Sequence, residues 1–212
     1  MKTPKHLIST FIKIPLILLL FSTMAFAQMR DMSSDKSSEL RTSMRKLWED
    51  HIVWTRMVIL GIMDGVGGTD KAVDRLMKNQ EDIGNAIKPI YGDDAGNMLT
   101  TLLKEHISIA GDLLNAAKSS NNTDFDAANK KWYDNADKIA DFLSTANPNW
   151  QKKDMSEMMH NHLALTTEEA VARLKKDYAG DVAAYDKVHD EILAMSDGLT
   201  NGIIKQFPDK FK

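Results

Sequence analysis

Histidine is the residue of this chain best suited to chemistry. There is no cysteine, and five of the six histidines lie in segments with a helical apolar pattern. His51, His106 and His189 each interrupt a stripe of apolar residues, and His162 lies in a short methionine-rich segment. Neutral imidazole is the commonest metal ligand in proteins. If neighbouring helices run antiparallel, these mid-helix positions meet at one level, so we predict a histidine-lined site in the core.

Two further helices carry an amide where the others carry histidine. Gln80 falls within the stripe of the second helix, and Asn135 falls within that of the fourth. A buried polar group without a partner costs about 1–3 kcal/mol, so such residues are expected to serve one another or a ligand. A single stripe histidine is most often explained by a hydrogen bond to a neighbour. Their recurrence favours a common buried polar layer.

The candidate metal ligands are His51, His106, His162, His189 and Asp186. Asp186 precedes His189 by three residues, which puts both on one helix face, as in the carboxylate–histidine pairs of di-iron and di-manganese bundles. The resemblance to ferritin-like bundles is partial, because no second pair is present, and ferroxidase or oxygenase activity is not expected. The suspected ion is zinc, copper or iron, and an imidazole-rich ligand set suits zinc or copper best.

A metal-free binding module is the alternative prediction. Gln80, Asn135, Trp54, Trp132 and Tyr185, with the histidines, would then line a pocket for a small organic ligand or serve a protein partner. A hydrolytic or redox enzyme using the same layer is a third, weaker hypothesis. His160 lies about 200° around the helix from His162, so only one of that pair can face inward.

The elements that position these residues are helices. Apolar residues recur at spacings of three and four, and strand-like alternation is absent. We predict an all-α, antiparallel, up-and-down bundle of about four long helices plus one or two shorter ones. The predicted helices span about 36–64, 70–88, 93–119, 123–146, 152–163 and 167–206. Expected N-caps are Asp70, Thr123 and Thr166 or Thr167. No repeat with a period of 20–50 residues stands out.

Residues 1–27 have the pattern of a cleavable signal peptide. Lys2, Lys5 and Lys13 precede or flank a short apolar run, and Ala25-Phe26-Ala27 forms a small-residue cleavage site. We therefore predict cleavage after Ala27, a periplasmic or secreted protein, a flexible leader over 28–38 and one bundle domain over 39–212. The run is shorter than the about 20 residues of a membrane span, so no membrane insertion is expected after cleavage.

Charge argues against a nucleic-acid partner. Without the three signal-peptide lysines, 24 of the 27 basic residues remain against 30 acidic residues, which gives a net charge of −6. Binding to phosphate requires a basic face, and the lysines do not cluster into one. A metal ion or a small ligand is the partner that we expect; the oligomeric state is not indicated.

Four short segments resemble those of small exported bacterial helical proteins. They are LWEDH at 47–51, NQxDIG at 79–84, NPNW at 147–150 and QFPxKF at 206–211. The resemblance covers most of the predicted mature chain. It implies export and a helical fold, and it implies no particular activity.

Overall fold

The computed structural model describes residues 17–212, with side chains from residue 36 onward. This part of the chain is helical and contains no strand, which confirms the all-α bundle. The predicted signal peptide begins outside the described residues, so cleavage and export remain predictions. None of the helices described is both long enough and apolar enough to cross a membrane.

Six α-helices and a short 3-10 helix follow one another along the chain. They are α1 (Ile17–Asp64), α2 (Thr69–Tyr91), α3 (Asp93–Lys118), α4 (Asn122–Ala146), α5 (Lys152–Leu174), α6 (Tyr178–Gln206) and the 3-10 helix Pro208–Phe211. The first helix begins earlier than the predicted start at about 36, and its backbone includes the segment predicted as a leader.

The boundary between α5 and α6 is the main difference from the predicted helices. Thr166 and Thr167 were expected to start the last helix, and that expectation is wrong: both lie inside α5, where their hydroxyls donate to carbonyls one turn earlier. The break comes instead at Lys176, whose φ is 61°. Asp177 then caps α6, because its side chain accepts from the backbone N–H of Gly180 at 2.9 Å.

Two other predicted caps are also displaced. Gly68, with φ of 86°, precedes α2, so Asp70 lies within the first turn, where its negative charge favours the positive end of the helix dipole. Asn121, rather than Thr123, caps α4 by accepting from the backbone N–H of Asp124 at 3.1 Å. A polar residue near a helix start is readable from sequence, whereas its exact position is not.

The helices form a closed ring. Each helix packs against the next, and α6 packs back against α1. Along the α1–α6 seam, Arg41 hydrogen-bonds to Asn201 and Glu49 contacts His189, so residue numbers rise in one helix as they fall in the other and the pair is antiparallel. Alternate helices also touch across the centre, since α1, α3 and α5 contact one another.

The ring therefore consists of three helical hairpins, α1–α2, α3–α4 and α5–α6. The first helix of each hairpin turns one face toward the centre, and the second helix lies against its neighbours around the ring. Large apolar side chains, including Ile52, Leu163 and Ile192, are fully or almost fully buried between them. This arrangement places the middle of α1, α3 and α5 around a common axis.

Candidate functional site

Three histidines meet at a small internal cavity. His51 on α1, His106 on α3 and His162 on α5 line a space of about 30 Å³. Their exposed fractions are 4%, 3% and 5%. The ring centroids of His51 and His162 are 5.9 Å apart. The structure thus brings together three of the four histidines that the sequence predicted to share a layer.

The three histidines occupy equivalent positions in the three hairpins. His106 follows His51 by 55 residues, and His162 follows His106 by 56. The side chains around them correspond in the same register, one from each hairpin. The equivalent sets are Met44, Leu99 and Met155; Trp48, Leu103 and Met159; Ile52, Ile107 and Leu163; Thr55, Ala110 and Thr166; and Ile59, Leu114 and Ala170. The chain is therefore a threefold repeat, with a period just beyond the 20–50 residues in which no repeat was evident.

The repeat determines which residues line the cavity. On each inner helix it is lined by the histidine and by the residues four and eight positions later, one and two helical turns on. Trp132 of α4 also lines it, and its ring lies 5.2 Å from that of His106. Most of the remaining wall is aliphatic, so the imidazoles are the main nitrogen-bearing groups at this space.

Each histidine contacts a polar side chain on the second helix of its own hairpin. His106 Nδ1 lies 2.8 Å from Asn135 Oδ1, and His162 Nδ1 lies 2.9 Å from Glu191 Oε2. His51 Nδ1 lies 3.2 Å from Gln80 Nε2. All three pairs are separated by 29 residues. None of the hydrogen bonds formed by residues 36–212 engages Nε2 of any of the three rings.

The surrounding hydrogen bonds orient the ring of His106. Asn135 Nδ2 donates to the carbonyl of Leu102 and to Glu105, which turns Asn135 Oδ1 toward the imidazole. His106 must then donate from Nδ1–H, so its lone pair is on Nε2. Glu191, a carboxylate acceptor, imposes the same tautomer on His162.

The partner of His51 is a pair of amides. Asn79 Nδ2 donates to the carbonyl of Leu47, four residues before His51, as Asn135 does to Leu102 before His106. Gln80 Nε2 donates to the carbonyl of Leu76 and to Asn79 Oδ1. Gln80 therefore holds the register position of Asn135 and Glu191, whereas Asn79, one residue earlier, makes the backbone contact that Asn135 makes in the second hairpin.

Burial keeps two of the rings neutral. Burial lowers the pKa of His51 to about 3, with further lowering by the charges of His162 and His106, while hydrogen bonding by Asn79 and Gln80 raises it. Burial likewise lowers the pKa of His106 to about 3. Both imidazoles are therefore uncharged at neutral pH, and the uncharged ring is the form that binds metal ions.

His189 and Asp186 do not belong to this site. Asp186 is exposed, and His189 is about a third exposed, where its Nε2 lies 3.3 Å from Glu49. The expectation that His189 faces the core is wrong, because α6 buries Val188, Ile192 and their neighbours instead. Glu191, which the sequence did not single out, takes the carboxylate role that was expected of Asp186.

Trp54 and Tyr185 also lie away from the cavity. Trp54 is half-buried, with the Arg75 guanidinium 5.7 Å from its ring centroid. Tyr185 is half-buried beneath Arg56, whose guanidinium carbon is 4.6 Å from the ring centroid. Of the predicted pocket residues, Gln80, Asn135 and Trp132 contact the inner histidines, whereas Trp54 and Tyr185 do not line the cavity.

A buried ion cluster lies next to the cavity-lining residues of α1 and α5. Arg56 contacts Glu169 at 2.5 Å and Asp181 at 2.9 Å, and Asp181 is shared with Arg173 at 3.1 Å. Burial raises the pKa of Glu169 to about 7, against the lowering effect of the Arg56 guanidinium. The cluster joins α1, α5 and α6, one turn beyond the cavity-lining residue Thr166.

The structure defines the protein only by its architecture. Across residues 36–212, no three histidine, aspartate or glutamate side chains already converge at metal-binding distance. The protein is an all-α bundle of three hairpins with three inner histidines around a cavity. Comparison with protein-family models, with curated proteins and with solved structures gave no match.

Proposed function

We propose that this protein binds one transition metal ion in the central cavity through Nε2 of His51, His106 and His162. The observation that carries the proposal is the threefold register: three separate hairpins each supply a buried imidazole to the same 30 Å³ space. A metal ion offers these rings a common partner. Binding requires the rings to turn inward until their nitrogens converge.

The contacts behind the rings support metal binding. Histidines that bind metals usually donate their other N–H to a carbonyl or carboxylate oxygen, which fixes the tautomer and the orientation of the ring. His106 and His162 have such partners in Asn135 and Glu191. We assign Asn79 the same role toward His51, because its side chain hydrogen-bonds to His51 and its Nδ2 donates to Leu47 as Asn135 Nδ2 donates to Leu102.

The spacing of two of the rings, His51 and His162, is compatible with a shared ion. A zinc ion lies about 2.0–2.1 Å from each ligand nitrogen, which puts two imidazole centroids about 5–6 Å apart at tetrahedral to trigonal angles. The His51 and His162 centroids are 5.9 Å apart. Three imidazoles without a thiolate favour zinc or copper(II) over magnesium or calcium.

The size of the cavity favours an ion over an organic ligand. A space of about 30 Å³ is more than the about 10–15 Å³ that one water molecule needs, and it is far smaller than a pocket for an organic molecule. Pockets for organic ligands typically measure about 300–1,000 Å³. A metal-free pocket for an organic molecule would require the helices to separate, and so the observations support that alternative less well.

The proposed cellular compartment is supported by the sequence. The signal-peptide pattern of residues 1–27 supports export to the periplasm or the exterior. The absence of cysteine from the sequence means that the proposed ion is held by imidazole, with no thiolate to oxidise.

Zinc binding to the purified protein tests the proposal. The protein is stripped with a chelator, dialysed against zinc and analysed for metal content, with a competitive indicator giving the affinity. We expect about one zinc per chain, lost in His106→Ala and in His162→Ala. His189→Ala is the matched control, because it removes a histidine paired with Glu49 at the surface, and it should retain zinc.

Two results would contradict the proposal. The first is unchanged zinc content in both inner-histidine variants, because the ion would then lie elsewhere. The second is a wild-type protein that takes up neither zinc nor copper and holds only a water molecule between the rings in a crystal structure. Circular dichroism of each variant establishes that a loss of zinc is not a loss of the helical fold.

A further inference from the structure

A second internal cavity lies on the other side of the histidine layer. Its walls include Trp48, Leu103 and Met159, the equivalent residues three positions before the three inner histidines. Met44 and Leu99, about one helical turn earlier, also line it. The histidine cavity extends the opposite way, toward the C-terminal ends of the inner helices. We call the second space the apolar cavity.

The walls of the apolar cavity are aliphatic, thioether and aromatic side chains. The hydroxyl of Tyr91, the one oxygen among these side chains, is already engaged in hydrogen bonds with two amide side chains. The indole nitrogens of Trp48 and Trp150 have no hydrogen-bond partner among the described residues. Trp150 Nε1 packs against Gly202, where an added Cβ would lie 1.9 Å from it. Almost nothing in these walls can hold a polar ligand.

The apolar cavity is therefore a poor site for water. Its volume of about 30 Å³ is roughly twice the about 10–15 Å³ that one water molecule needs. A buried water molecule also needs two to four polar partners, and the side chains described here offer it the N–H of Trp48 and no free acceptor. A dry space leaves the wall atoms without dispersion contacts on one side. A small apolar guest restores those contacts and breaks no hydrogen bond.

The size and the composition of the walls define the guest. Room for about two water-sized atoms suits a diatomic molecule, whereas a cavity that takes up benzene measures about 150 Å³. Three of the lining residues are methionines, namely Met44, Met159 and Met195. Methionine is unbranched and flexible, so these side chains can adjust around a guest and move to admit it.

We propose that the apolar cavity binds an apolar diatomic gas molecule, with dioxygen as the representative that the experiment uses. The guest is held by dispersion contacts with aromatic rings and thioethers, and no bond is made or broken. None of the three inner histidines lines this space. The inference therefore does not depend on the proposed metal site, and both sites can be occupied in the same molecule.

NMR of the methionine methyl groups under dioxygen tests the proposal. Dioxygen is paramagnetic and accelerates the relaxation of nearby nuclei, so the metal-free protein is compared under dioxygen and under nitrogen at equal pressure. Gas that stays in the solvent affects methyl groups in order of exposure, with Met57 and Met98, 49% and 53% exposed, affected most. We expect the largest effect instead at Met44, Met159 and Met195, which are at most 5% exposed.

The chain supplies a matched reference and a matched pair of variants. Met155 is 8% exposed and equivalent to Met44 in the repeat, but it does not line the cavity, so its relaxation should change less. Leu103→Phe extends a ring into the cavity and should abolish the excess relaxation at Met44 and Met159. Leu102→Phe should retain it, because Leu102 is half-buried on the same helix and lies outside the lining.

Two results would overturn the inference. The first is a wild-type relaxation effect that follows exposure, and the second is an excess that persists in Leu103→Phe, because the guest would then lie elsewhere. Circular dichroism checks the helical fold of each variant, and Leu199→Phe, which fills the cavity from α6, replaces Leu103→Phe if that variant does not fold. Neither result affects the proposed metal binding, which is measured separately by zinc content.

Discussion

Replacing His106 with glutamine should make the free energy of unfolding depend less steeply on pH between pH 5.0 and pH 7.5. Burial lowers the pKa of His106 to about 3 in the folded chain, whereas an unfolded histidine titrates near 6.5. Between those values the unfolded chain binds a proton that the folded chain does not. The free energy of unfolding is therefore fully retained above pH 6.5 and falls as the pH is lowered toward 3.

The magnitude follows from the two pKa values. From pH 7.5 to pH 5.0, His106 alone should remove about 2 kcal/mol from the free energy of unfolding of the wild type. His106→Gln lacks this titration. Its destabilisation relative to the wild type, measured by urea unfolding in the presence of EDTA, should therefore be about 2 kcal/mol smaller at pH 5.0 than at pH 7.5.

Comparing the two proteins at both pH values isolates the titration of His106. Packing lost on replacing the ring costs the same at both pH values, and other titrating groups are common to both proteins. Leu103→Ala, on the same helix and equally buried, is the control: it should cost about 2–5 kcal/mol at both pH values. A destabilisation by His106→Gln that does not change with pH would refute the assignment of a neutral, buried His106.

Three further predictions concern other parts of the structure. Burial raises the pKa of Glu169 to about 7, so its stabilising contribution is present below pH 4.5 and lost as the pH rises through 7. The free energy of unfolding of the wild type should therefore fall by about 2 kcal/mol from this group between pH 5 and pH 7. Glu169→Gln should lack that fall, as measured by urea unfolding. Gly202→Ala should destabilise the fold by about 1–3 kcal/mol, since its Cβ would lie 1.9 Å from Trp150 Nε1, whereas Gly198→Ala, with open space at Cβ, should be neutral or stabilising in the same assay. Glu191→Leu should weaken zinc binding by about 10–100-fold in a competition titration, because the His162 ring loses the carboxylate that orients it, while an unchanged affinity would exclude that role.

The helical period was enough to predict most of the inner layer. His51, His106, Gln80 and Asn135 were placed in the core from the spacing of their apolar neighbours, and all four are buried. This works because a residue flanked by apolar side chains three and four positions away on both sides has only one face of the helix to occupy.

On α6 two apolar stripes overlap, and the one that includes His189 is not the one that is buried. Tyr178 and Val182 extended an apolar series through His189, yet both are more than half exposed. Ala184 and Val188 belong to the stripe that is buried, and small side chains contribute little to a hydrophobic pattern. Tertiary packing against α1 and α5 decided between the two, and that information is not local.

Glu191 and Asn79 could not be found from stripes at all. Their role comes from a neighbouring helix; the repeat would have revealed Glu191, 29 residues after His162, but not Asn79, which follows His51 by 28 residues. The 55- and 56-residue intervals between histidines, and the 29 residues from each histidine to its partner, are present in the sequence. Many residues at equivalent positions differ in type, however, as Gln80, Asn135 and Glu191 do, so the repeat is clearer in the structure than in the sequence.

The closed ring also bears on the order in which the protein folds. Contacts within each hairpin and between consecutive hairpins join segments that are near in sequence, whereas the seam between α1 and α6 joins residues about 150 positions apart, as in the Arg45–Asp197 ion pair. Contacts at such separation carry the largest loop-closure cost. We therefore expect the α1–α6 seam to form late in folding, since until α6 docks the ring is open and one side of α1 stays uncovered.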